Sequence, residues 1–155
     1  MPEVQAAGLL AIMGIFDLFG TTASGWLTDR YDPRKLLFVY YALRGLALIY
    51  LPYSDFSFYS LAIFAVFFGL DWIATVPPTL RLATEAFGDR EAPIVFGWIV
   101  AGHQLGAASA AWMAGLVRES QGSYLMAFVA AGATGLIAAV IALLIGRERV
   151  VAQPA

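Results

Sequence analysis

Long apolar runs joined by short polar segments set the pattern of this chain, and no stretch keeps the two-residue alternation of a half-buried strand. A bilayer core of about 30 Å takes roughly 20 mostly apolar residues at 1.5 Å rise each. Five runs qualify, at residues 6–27, 36–53, 58–84, 93–117 and 124–145. They are too long and continuous for the alternating strands of a transmembrane barrel. The pattern predicts an all-α fold: a polytopic membrane helical bundle of five transmembrane helices, forming a single transmembrane domain over residues 1–155.

Composition agrees. The chain is 61% hydrophobic and 13% charged, where an average soluble domain carries about 25% charge. Lipid is therefore the expected solvent. With no cysteine and one histidine, disulfides and thiolate metal sites are excluded and a zinc site is disfavoured. No metal and no cofactor is expected. Basic residues never cluster on one helix or strand, so no nucleic-acid partner is expected either. The opening MPEVQAAGLLAIMGIF has no basic region, carries Glu3 and lacks a small-residue cleavage site, so it reads as a retained helix.

Basic residues predict orientation. Five spans would put Arg30, Arg34, Lys35, Arg81, Arg90, Arg147 and Arg149 on one side, against Arg118 on the other, with Arg44 inside the second span. The N-terminus is then outside and the C-terminus cytoplasmic, in the cell (inner) membrane.

The densest run of charge is GWLTDRYDPRK, at 25–35. Its pattern Gly-x-Leu-Thr-Asp-Arg-x-Asp-x-Arg-Lys resembles the cytoplasmic loop signature of the major facilitator superfamily, matched at Gly25, Leu27, Asp29, Arg30, Arg34 and Lys35. Asp32 stands where that family usually has glycine, and Pro33 where a basic residue is common. Those departures resemble the less regular second copy of the loop, between helices eight and nine of a twelve-helix transporter. The tail GRERVVAQPA resembles a protein's end. The resemblance thus implies a partial major facilitator half, equivalent to helices 8–12. It would be a fragment lacking helix seven and the first half, a chain whose start was assigned too late, or one that works with partner helices. Ile15-Phe16-Asp17-Leu18 looks most like monocarboxylate-type carriers. In those an arginine often follows the aspartate one turn later; Thr21 stands there, which leaves the substrate class open.

Local physics gives the loop further roles. Arg30, Arg34 and Lys35 can neutralise the partial negative charge at the end of the first helix, while Asp32 and Pro33 suit the start of the second. Gly25 is expected to let another helix approach closely. The resemblance adds that Asp29 and Arg30 latch this gating loop against cytoplasmic helix ends, with Glu85, Asp89 and Glu91 as available partners. Topological anchoring alone is the plainer alternative.

An ionised side chain at the bilayer centre costs roughly 2.5–3.5 kcal/mol on insertion scales and is a functional hypothesis by default. Counting inward at about 1.5 Å per residue places Asp17, Arg44, Asp71 and His103 at similar depths, ~13–18 Å from their helix ends. Arg44 is expected to pair with Asp17 or Asp71, structurally or functionally. Asp71 lies in GLDWIATVPPTLR, where Pro77 and Pro78 free the carbonyls of Ile73 and Ala74. A Pro-interrupted span points to a transporter site, with Trp72 and Thr75 as companions, Thr75 on the face of Asp71. In the fourth span Gly102, Gly106 and Ala110 repeat at small-x-x-x-small spacing. His103 and Gln104 interrupt them, the histidine as interhelical donor or proton relay.

The reading is secondary transport of a small solute, a small organic anion among the candidates, with proton coupling and alternating access. Asp71, with Asp17 or His103, would bind substrate or proton. A small multi-pass scaffold that only binds a partner is the alternative; an intramembrane enzyme built on Asp17 and Asp71 lacks any catalytic motif.

Overall fold

The computed structural model describes residues 2–146. Arg147, Arg149 and the rest of the tail lie outside the described residues. Helix α1 spans Glu3–Thr28, α2 Pro33–Tyr50, α3 Phe58–Asp71, α4 Val76–Gln121 and α5 Leu125–Leu143, with a short 3-10 turn at Leu51–Tyr53 after α2. The described residues contain no strand, so the fold is all-α.

Local chemistry explains the boundaries. Asp32 caps α2 by accepting the Arg34 N–H at 3.0 Å, and Pro33 follows at the first helical position, where no N–H is needed. Ser57 caps α3, its hydroxyl accepting the Ser60 N–H at 3.3 Å. Gly122 ends α4 with φ 70°, its N–H bonded to Arg118 O at 3.0 Å.

Among the described residues, four stretches are long and apolar enough to cross a membrane, not the five expected. The difference lies in residues 58–121. The expected polar loop at 85–92 is helical, so two expected spans merge into one stretch, Phe58–Gln121, of 64 residues. Straight, it would be ~96 Å long, three times a bilayer core. It is not straight. Gly88 takes φ 78° and ψ 166°, a backbone conformation open essentially to glycine alone. Thr79 and Phe96, Val76 and Ile99, and Trp72 and His103 line one cavity, although each pair straddles Gly88. The chain therefore folds back at this residue, and α4 consists of two adjacent arms. A second interruption, the turn at 72–75, separates α3 from α4, so the expected span 58–84 is two helices.

Glycines set the two main helix contacts. A Cβ on Gly69 of α3 would sit 2.6 Å from Met13 O of α1, and Gly20 of α1 lies against the Leu70 backbone. Likewise a Cβ on Gly45 of α2 would sit 2.7 Å from Gly132 O of α5. Without a hydrophobic driving force in lipid, such close approach is what holds helices together. The expected close-contact positions are different ones. A Cβ on Gly25, Gly102 or Gly106 would meet nothing within 4 Å. For the latter two the reason is that residues 97–113 of the second α4 arm are exposed throughout.

Candidate functional site

The turn at 72–75 is where the charged groups meet. Arg44, from α2, donates to the Asp71 carboxylate, Nε to Oδ2 at 2.9 Å. Its Nη2 also donates to the backbone carbonyls of Asp71 and of Trp72, the latter at 2.9 Å. Of the two partners open to Arg44, the geometry selects Asp71. Asp71 is only 2% exposed, and its Oδ1 has no hydrogen-bond partner among the described residues.

From the other side, α1 holds the same turn. Asp17 accepts the Ile73 N–H at 3.1 Å on Oδ1, which also accepts the Thr21 hydroxyl at 3.3 Å. Thr21, at the position where the resembling carriers often have arginine, is thus tied to Asp17 itself. Ser24, one turn further along, donates to Ala74 O at 2.5 Å. A helix interruption inside an apolar bundle needs such partners, because free backbone groups there have no water to bond.

Beside the turn lies a cavity of about 390 Å³. Arg44, Tyr41, Trp72, Thr75, Thr79 and His103 give it polar atoms, and Phe68, Ile73, Val76, Phe96, Ile99 and Val100 give it apolar walls. Thr75 faces this space whereas Asp71 does not, since residues 72–75 are turned out of helical register; the expected shared face is lost. Gln104 lies on the exposed arm and outside the lining. Three of the four ionisable groups therefore meet at one short turn, and the fourth lines the cavity beside it. Arg44 and Asp71 are paired, Asp17 is bound to the turn's backbone, and His103 lies across the cavity. A guanidinium and an imidazole facing apolar walls can receive a small amphipathic anion.

The charged loop sits at one end of the bundle. Arg30 turns back on its own helix, donating to Trp26 O at 3.3 Å and stacking 3.9 Å over the Trp26 ring. That neutralises the end of α1, as its position leads one to expect, and leaves Glu85 to Arg81 at 2.8 Å. The charge of Asp29 also reaches Arg81. Arg34 Nη2 donates to Gly146 O at 3.0 Å, tying the start of α2 to the end of α5. Lys35 bonds Asp32 O through its backbone N–H at 3.0 Å.

Ser24, Tyr41 and Thr79 join the site without having stood out in the sequence. Gly20, Ser24 and Thr28, all buried, form a small-residue ladder four apart on α1. That spacing is readable in the same way as the one on α4.

The family model of the Major Facilitator Superfamily matches residues 2–155. Monocarboxylate transporter 13 of Rattus norvegicus is 32% identical over 132 residues, 84% of this chain and 31% of that protein. Monocarboxylate transporter 12 of Rattus norvegicus is 32% identical over 132 residues, 83% of this chain and 27% of that protein. The human monocarboxylate transporter 12 is 30% identical over 141 residues, 88% of this chain and 27% of its own length. The chain thus spans under a third of the relatives it matches. No solved structure matches it. A helical membrane bundle with a family match over nearly its whole length, the chain belongs to the Major Facilitator Superfamily.

Proposed function

We propose that this chain forms the C-terminal portion of a secondary transporter that carries a small monocarboxylate together with a proton by alternating access. Family membership and the names of the relatives support transport and this substrate class. Coverage of under a third of those relatives supports a pathway completed by a missing N-terminal half or by partner helices.

The observation that carries the site is the Arg44–Asp71 pair, bonded at the helix interruption with Arg44 lining the cavity. A short carboxylate anion entering there puts its charge toward Arg44 and His103 and its hydrocarbon part against Phe68, Ile99 and Val100. Arg44 is 20% exposed at its side chain while Asp71 is sealed, so the anion competes for the guanidinium from the open side. An ion buried without its counter-ion is costly, and a proton on Asp71 removes that cost. Anion and proton then bind as a unit and leave as a unit. Both half-cycles follow without any covalent step.

The loop residues Gly25, Asp29, Arg30, Arg34 and Lys35 act at the cytoplasmic end, as a gate made of individually weak contacts of about 0–1 kcal/mol each. The excess of basic residues at this end supports a cytoplasmic placement in the cell membrane, with the N-terminus outside. Asp17 and Trp72 shape the pathway, and Gln104 faces the helices that complete it.

The test is uptake of a labelled short monocarboxylate by liposomes containing the complete transporter. An inward proton gradient should drive accumulation in the parent protein. Asp71→Asn should abolish gradient-driven accumulation while leaving membrane insertion intact. Undiminished accumulation in that variant removes Asp71 from the coupling.

A further inference from the structure

Two consecutive prolines withhold two backbone donors. In a regular helix the N–H of residue 77 would bond Ile73 O and that of residue 78 would bond Ala74 O. The chain repairs the first locally: Ile73 O accepts the Val76 N–H at 2.9 Å. It does not repair the second in that way. Ala74 is 0% exposed and Pro78 is fully buried, so water cannot reach the carbonyl either. Its donor comes from another helix altogether, the hydroxyl of Ser24, at 2.5 Å.

We infer that Ser24 is a positioning residue for the helix interruption, its hydroxyl on α1 replacing the N–H that Pro78 lacks. Three observations carry this. Ser24 is itself 0% exposed, and a buried hydroxyl without a partner would be a penalty with no return. Its bond spans 50 residues, so it sets tertiary register and not only local helix shape. One turn before it, Gly20 lies against the Leu70 backbone, which brings α1 close enough for so short a side chain to reach. Ser24 and Asp17 together fix the 72–75 backbone from α1. That aims the carbonyls of Asp71 and Trp72 at Arg44. The inference rests on this geometry and holds whichever solute the cavity takes.

The alternative is that Ser24 is buried only because it is small. A double-mutant comparison separates the two. Ser24→Ala, Pro78→Ala and the double variant are purified in detergent, and amide exchange is followed by mass spectrometry over residues 71–79. Ser24→Ala should speed exchange in this segment about tenfold, the effect of orphaning one buried carbonyl. Pro78→Ala restores a backbone N–H, so the double variant should exchange at the rate of Pro78→Ala alone. A Ser24→Ala protein that fails to fold while the double variant folds supports the same conclusion. Parent-like exchange in Ser24→Ala, simple addition of the two effects, or loss of folding in both serine variants overturns it.

Discussion

Removing Arg44 leaves three acceptors without their donor: the Asp71 carboxylate and the carbonyls of Asp71 and Trp72. Breaking one side of a buried ion pair costs about 3–5 kcal/mol, whereas replacing both partners by apolar groups is often neutral. Arg44→Met should therefore lower the melting temperature in detergent sharply. Arg44→Met with Asp71→Leu should recover only part of the loss, because two carbonyls remain orphaned at about 1–3 kcal/mol each. Full recovery in the double variant would mean that the carbonyl bonds add nothing. Sequence alone puts Arg44, Asp17, Asp71 and His103 at one depth, since helical rise and an apolar background suffice for that. It does not choose between Asp17 and Asp71 as the partner of Arg44, because helix rotation decides the matter. Nor does it show that Asp17 binds a backbone N–H, since that donor becomes free only once the turn forms.

At the scale of elements, the close helix contacts are the most exacting feature. Gly69→Leu would drive a side chain into the Met13 backbone, and overpacking of this kind costs about 1–3 kcal/mol. Gly106→Leu meets nothing within 4 Å and should leave thermal stability unchanged. Parallel melting curves of the two variants check this, and equal losses would contradict the observed packing. Small residues recur four apart on both α1 and α4, and only the presence of a facing helix separates a used ladder from an idle one. Gly88→Ala should cost about 1–3 kcal/mol, because its backbone conformation excludes a Cβ; a circular-dichroism melt reads that loss directly. The turn at Gly88 is hard to read in advance because residues 85–92 carry helix-forming side chains and the reversal is confined to one residue. The interruption at 72–75 is half visible. Two prolines announce it, yet the helix yields on their N-terminal side, where the i−4 carbonyls lose their donors.

For the whole molecule, apolar run length and the absence of alternation are enough to read an all-α membrane bundle, and the charged loop at 25–35 is enough to suggest its superfamily. What one sequence does not encode is which arms lie side by side, because that depends on glycine contacts distant along the chain. The assembled bundle places an ion pair at a helix interruption, with a cavity open to the arginine and closed to the aspartate. In the transport cycle proposed above, anion binding and protonation are one event. The direct measurement is proton uptake when acetate or propionate, matched in pH, is added to the purified complete transporter in weakly buffered detergent solution. About one proton should be taken up per anion bound, and none in Asp71→Asn. Anion binding without proton uptake, or equal uptake in Asp71→Asn, would contradict this coupling.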